Sequence, residues 1–222
     1  AAELVHEIGT PLNIIRGRAE MLMSVTEREP LEQGLHTIIE QIDRISRLLR
    51  QVFEIGRKQG NTRELVALRP LLDEVADLVF FRLQQTDIDL DIQVPPDLPP
   101  VPAGIPPLQQ VFINLLTNAI DAILADPDHM GAKGRGRITI VARLPEDSPY
   151  LEVRFVDNGQ GIRTEHLDRL YEPFFTTKPA GDGSGLGLPV VHRILSELGG
   201  HIEVQSEWTR GTAFIVRLAT RR

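Results

Sequence analysis

The sequence predicts an α+β protein in two parts, a helical hairpin followed by an α/β sandwich with helices on one face of a sheet. Two observations carry this reading. Over residues 1–59 the apolar residues recur at three- and four-residue steps, the spacing of a helix stripe. Over residues 60–222 that single period gives way to strand-like alternation intermixed with helical patterns. The change falls at Gln59-Gly60-Asn61, which reads as a hinge.

In the first arm of the hairpin the stripe is Leu4, Ile8, Leu12, Ile15, Ala19 and Leu22. In the second it is Leu35, Ile38, Ile39, Ile42, Ile45, Leu48, Leu49 and Val52, close to a heptad seam. A polar connection, Thr26-Glu-Arg-Glu-Pro30, lies between them, with Gly34 just before the second stripe. Two helices bury such stripes poorly alone, so a four-helix bundle made by two copies is the expected solution. Packing against the second half of the same chain is the alternative.

The second part predicts a short strand at 65–68, an amphipathic helix at 71–83 and a half-buried strand at 88–94. The proline-rich stretch 95–107 is expected to hold no regular structure. A helix follows at 108–124, then neighbouring strands at 138–144 and 151–156. A helix at 188–198 leads into a closing hairpin, 202–204 with 213–218, turning at Arg210-Gly211. No internal repeat or low-complexity tract interrupts this order.

Composition narrows the function. With 31 acidic against 24 basic residues the net charge is −7, which argues against sequence-independent nucleic-acid binding, a task that needs a basic face. The absence of cysteine removes disulfides and thiolate metal sites and is compatible with a reducing compartment, so a cytoplasmic location is expected. No apolar run approaches the length of a membrane span, and Glu3 and His6 interrupt any leader-like stretch. The chain starts inside a helical pattern and reads as a piece of a longer protein, so any membrane anchor belongs to other segments.

Three blocks carry chemistry. Gly181-Asp-Gly183-Ser184-Gly185-Leu186-Gly187 precedes a helix. Alternating glycines let backbone approach a ligand, and amides at a helix start favour phosphate, although a glycine run alone also fits a flexible loop. Val156-Asp157-Asn158-Gly159-Gln160-Gly161 ends a strand-like run. It is a turn on any account, and its carboxylate suits the amino group of an adenine. Asn114 and Asn118 stand four apart on one helix face. Buried carboxamides need partners, and their oxygens together with phosphate and water suit Mg²⁺. Capping of neighbouring backbone is the plainer explanation for one asparagine, less so for two.

With Tyr171-Glu-Pro-Phe174-Phe175-Thr-Thr-Lys178 between the last two blocks in chain order, these segments resemble the N, G1, F and G2 boxes of the histidine kinase ATP-binding domain, in that family's order. His6-Glu7-Ile-Gly9-Thr10-Pro11-Leu12 resembles the family's H box. The resemblance covers nearly the whole chain and rests on five motifs.

It implies a hairpin (1–59) that dimerises and carries the phosphoacceptor, then an ATP-binding domain (60–222). It also implies a role for each matching residue. His6 would accept the γ-phosphate of ATP, Glu7 would take the ring proton, and Thr10 would serve dephosphorylation of a partner. Asn118 would ligate Mg²⁺, supported by Asn114. Asp157 would read adenine, with Gly159 and Gly161 leaving room for the base. Gly183, Ser184, Gly185, Leu186 and Gly187 would line the triphosphate, and Lys178 would reach its γ end. Phe174 and Phe175 would be packing residues anchoring a lid.

The implied partner is a response regulator receiver domain, whose aspartate receives the phosphoryl group. Residues after His6, including Arg16, Arg18 and Glu20, are the expected docking face. The implied assembly is a homodimer.

The chain departs from the family in three places. Gly9 stands where larger residues are common, Ser184 stands where threonine is frequent, and only five residues precede His6. ATP-hydrolysing relatives of the fold carry a general-base glutamate four residues before the helix asparagine. Here that position is Asn114, which argues for transfer to an acceptor. The alternative from another class is an ATP-binding signalling scaffold without transfer. His36, His129, His166, His192 and His201 lack comparable company and are assigned no role.

Overall fold

The computed structural model describes residues 64–126, 135–146, 148–178 and 185–220, together with helical positions 14, 15, 17–19, 22, 34, 37 and 38. The chain divides into two compact units, Ala1–Gly60 and Asn61–Arg222. In the first unit Gly34, just before the second stripe, is helical and buried. A Cβ there would lie 2.5 Å from a methyl of Leu22, so this glycine lets the two arms approach. The remainder of both stripes, and His6, Glu7 and Thr10 with them, lies outside the described residues.

The second unit is built from β1 (Glu64–Val66), α1 (Leu68–Gln85), β2 (Ile88–Gln93), β3 (Val101–Ala103), α2 (Ile105–Leu124), β4 (Gly136–Arg143), β5 (Tyr150–Asp157), α3 (Thr164–Leu167), α4 (Gly187–Glu197), β6 (His201–Glu207) and β7 (Gly211–Ala219). Five strands form one sheet in the order β2-β4-β5-β7-β6. The β2–β4 pair is parallel and the others are antiparallel. β1 and β3 form a separate antiparallel ribbon.

The core lies between the sheet and a helix layer centred on α2. Leu108, Val111, Phe112, Leu115, Leu116 and Ile120 of α2 are fully buried, meeting Ile138, Ile140, Val153, Phe155 and Val216 of the sheet. These sheet residues alternate along their strands, as a sheet with one covered face requires.

Two expectations need correction, both for the same physical reason. The stretch 95–107 is not without regular structure: it contains β3 and the start of α2, whose first turn holds Pro106 and Pro107. α1 likewise begins at Leu68 with Pro70 in its first turn. First-turn amides have no intrahelical acceptor, so proline costs nothing there. Pro102 is tolerated because β3 pairs on one side only, with β1.

The closing hairpin also turns elsewhere than expected. Glu207 pairs with Gly211, and Trp208, Thr209 and Arg210 make the turn, with Thr209 at φ 70°. The short α3 gives no periodic signal and was not anticipated. At the end of α4, Gly199 (φ 75°) and the bond from Gly200 N–H to Leu195 O (2.8 Å) close the helix.

Candidate functional site

β5 delivers Asp157 to the edge of the core, where it is buried. Its Oδ1 accepts hydrogen bonds from the amides of Gly159 (2.9 Å) and Thr212 (3.3 Å). The first closes the Asp-Asn-Gly turn, and the second ties that turn to β7, where Thr212 stands opposite Asp157 in register. Asn158 fixes the other side: its Oδ1 accepts from Arg137 N–H (2.7 Å) and its Nδ2 donates to Arg135 O (3.1 Å).

The two glycines of the turn are forced by neighbours rather than by open space. A Cβ on Gly159 would lie 2.5 Å from the carbonyl carbon of Ala122, and Gln160 N–H bonds Ala122 O (3.0 Å), so the turn is pressed onto the end of α2. Gly161, at φ 72°, would place a Cβ 2.2 Å from the carbonyl oxygen of Glu207. Thr209 N–H closes that side by bonding Gln160 O (2.7 Å). The turn is thus clamped between α2 and the β6–β7 hairpin.

Thr212 was not picked out from sequence, and it belongs to this cluster. It is buried, and its hydroxyl shares a 2.9 Å bond with Ser206, which also receives the amide of Ile162 (2.8 Å). The available signal was Gly211-Thr212 opening a strand; only the register shows what it faces.

On α2, Asn114, Asn118 and Asp121 share one face, at steps of four and three. Asn114 and Asn118 are half-buried. Asn114 Nδ2 donates to Gly187 O (3.4 Å), joining α2 to the start of α4. A carboxylate at 114 would repel that carbonyl, so the amide suits the contact as well as the absence of a hydrolytic base. The side chain of Asn118 has no hydrogen-bond partner among the described residues. A Cβ on Gly187 would meet nothing nearer than Asn118 Nδ2 at 4.0 Å, so space opens between this carboxamide and the first turn of α4. Within that turn Pro189 has no N–H and Val190 N–H bonds Leu186 O (3.1 Å), so the amides of Gly187 and Leu188 are the ones without an intrahelical acceptor.

Gly185 (φ 63°) would place a Cβ 2.3 Å from the backbone of Phe174, whose N–H bonds Gly185 O (2.9 Å). The expected packing role holds for only one of the two phenylalanines. Phe175 lies against His166 (5.6 Å) and under the Arg169 guanidinium (4.3 Å). Phe174 is 73% exposed at φ 68°, so its backbone, not its ring, makes the anchor. Lys178 Nζ bonds Asp121 Oδ2, and Arg82 of α1 bonds Asp121 Oδ1. Leu186 precedes α4 as its N-cap. Gly183 and Ser184 lie outside the described residues.

The structure therefore brings Asn114, Asn118, Gly187 and Lys178 to one flank of α2, and Asp157, Gly159 and Gly161 to the end of β5. A groove of about 600 Å³ between α1 and β2, lined by Phe80, Leu90 and Arg135 among others, contains none of the expected site residues.

A helix-covered mixed sheet with an asparagine-bearing central helix and a glycine-marked entry into α4 defines an ATPase-type sandwich. Residues 104–222 indeed match the family described as Histidine kinase-, DNA gyrase B-, and HSP90-like ATPase. Residues 1–61 match the His Kinase A (phospho-acceptor) domain. The chain belongs to the sensor histidine kinase family.

It is 32% identical over 222 residues to the sensor histidine kinase ZraS of Escherichia coli (strain K12), covering 98% of this chain and 44% of ZraS. It is 30% identical over 222 residues to sporulation kinase E of Bacillus subtilis (strain 168), covering 100% of this chain and 28% of that kinase. Among solved structures, full-length ShkA in complex with AMPPNP is similar with a TM-score of 0.72 and 26% identity, over 99% of this chain and 46% of that one. The chain thus spans less than half the length of these relatives. No helix among the described residues is long and apolar enough to cross a membrane.

Proposed function

We propose that this chain binds ATP with Mg²⁺ in its second unit, transfers the γ-phosphoryl group to His6, and passes it to an aspartate of a response regulator receiver domain. The observation that carries this reading is the meeting of α2 and α4, where the Asn114–Gly187 bond sets the Asn118 carboxamide beside Gly187 at the start of α4.

The residues fit the groups they would hold. Asn118 offers an oxygen to a hard cation. Backbone amides of α4 and the glycines before it favour phosphate oxygens. Asp157 and the clamped turn at Gly159 and Gly161 offer an acceptor to the adenine amino group. Mg²⁺ held at Asn118 would offset charge on the phosphate oxygens.

At His6 a neutral imidazole nitrogen is the nucleophile: its bond to phosphorus forms as the bond to the bridging oxygen of ADP breaks, and the ring proton passes to Glu7. Thr10, four residues on in the sequence, serves removal of phosphate from the regulator. Dimerisation through the hairpin, with domain limits 1–59 and 60–222, completes the proposal. Arg18, described and exposed, lies on the proposed docking face; Arg16 and Glu20 lie outside the described residues.

The test is incubation with Mg²⁺ and γ-labelled ATP, comparing the wild type with His6→Ala and Asn118→Ala. The expected label is stable to alkali, lost in acid, and absent from both variants. A wild-type chain that binds ATP yet takes no label, even when extended at its N-terminus, would favour the scaffold alternative.

A further inference from the structure

Lys178 was expected to reach the end of a bound triphosphate, yet the structure gives it a different partner. Its ammonium is held by Asp121, whose other oxygen takes the guanidinium of Arg82. The three residues come from three separate places: the segment after Phe175, the last turns of α2, and the last turn of α1. Asp121 lies one turn beyond Asn118 on the same helix face. The pair therefore sits next to the place proposed for the metal and the terminal phosphates.

The two cations differ in what release would cost. Arg82 reaches Asp121 from a regular helix packed on α2 and is a fixed neighbour. Lys178 stands outside any helix or strand, on a flexible four-carbon stem. If Lys178 leaves, Asp121 keeps a counter-ion and no partly buried carboxylate is left bare. Side chains in the trio are 24–44% exposed, so the pair is shielded enough to hold and open enough to exchange.

We propose that Asp121 is a positioning residue, the resting counter-ion of Lys178, which yields the lysine to the third phosphate of a bound nucleoside triphosphate and recovers it once that phosphate is gone. The inference rests on the nucleotide reading above. A diphosphate lacks the group that competes for Lys178, so it leaves the pair intact. Asp121 thus subtracts from triphosphate affinity alone, and its recapture of the lysine after transfer removes a reason for the product to stay. Arg82 tunes the exchange by sharing the carboxylate.

Calorimetric titration with ADP and with a non-hydrolysable ATP analogue, at fixed Mg²⁺ and ionic strength, tests this on the wild type and four variants. In Asp121→Asn the analogue binds about fivefold tighter than to the wild type, while ADP affinity is nearly unchanged. Arg82→Gln gives the opposite sign, because the carboxylate then holds Lys178 alone: analogue binding weakens and ADP binding does not. In Lys178→Met the analogue loses affinity, and adding Asp121→Asn to it changes nothing further. The inference is overturned if Asp121→Asn moves both nucleotides equally, moves neither, or weakens the analogue. It is also overturned if the Asp121 effect persists without Lys178. A wild type that binds neither nucleotide overturns the nucleotide reading itself, an outcome distinct from any of these.

Discussion

Asp157 is held by two backbone amides through one oxygen, and that geometry separates its structural from its recognition role. In Asp157→Asn the side-chain carbonyl can still accept from Gly159 and Thr212, so the turn survives. The other oxygen becomes an N–H donor, which would face the adenine amino group donor to donor. The expected result is a folded protein whose ATP affinity falls by about 1–3 kcal/mol, roughly fivefold to 150-fold. ITP, whose base lacks that amino group, should lose much less, and equal losses for the two nucleotides would count against base reading at this position. The turn that holds Asp157, Gly159 and Gly161 was legible in sequence because Asp-Asn-Gly reads as a turn on any account. Thr212 was not, since its relevance comes from pairing across β5 and β7, which no local pattern encodes. Asp121 was visible as part of the helix block, but its bonds to Lys178 and Arg82 join positions far apart in the chain.

At the scale of elements, the uncovered face of the sheet carries a row of charges set by register. Arg143 stands opposite Glu152, Glu152 opposite Arg217, and Arg217 opposite His201, running across β4, β5, β7 and β6. Glu152 is buried between its two arginines, bonded by Arg143 Nη2 (2.7 Å) and Arg217 Nε (3.1 Å). The hydrogen bond from Arg143 is the largest influence on its carboxyl; burial opposes it, Arg217 reinforces it, and the result lies below the ordinary value of 4.5.

A carboxyl lowered in the native state stabilises fully above its unfolded pKa and ceases to do so as pH falls through the lowered one. Glu152→Gln should therefore cost about 1 kcal/mol near neutrality. The gap to the wild type should close as pH falls below the ordinary value of 4.5 and through the lowered one, because only the wild type has a proton to take up there. Urea melts across that range measure it; a gap that stays constant would contradict the assignment. The strands that carry this row were readable from alternation, and most element boundaries were placed to within a few residues. The misses had definite causes: prolines concealed within first helical turns, a four-residue helix with no period to detect, and a hairpin whose αL residue is a threonine.

On the scale of the molecule, the chain is two units, and the second is the one described closely enough to derive a site. That unit has one tryptophan, Trp208, which is also the only one in the sequence. It sits at the β6–β7 turn with the Arg163 guanidinium 4.6 Å from its ring centre, and its Cα is 3.1 Å from where a Cβ on Gly161 would stand. The residue that carries this indole thus borders the turn proposed to meet the base. The protein therefore contains its own optical reporter: excitation near 295 nm, a wavelength absorbed chiefly by indole, reads one site with no competing signal. Adding ATP or ADP should change the emission saturably, and to a similar extent for both, since they share the base. An unchanged spectrum at saturating nucleotide would mean that the base lies elsewhere. Comparing this signal with calorimetry would then time the arrival of the base separately from the arrival of the phosphates.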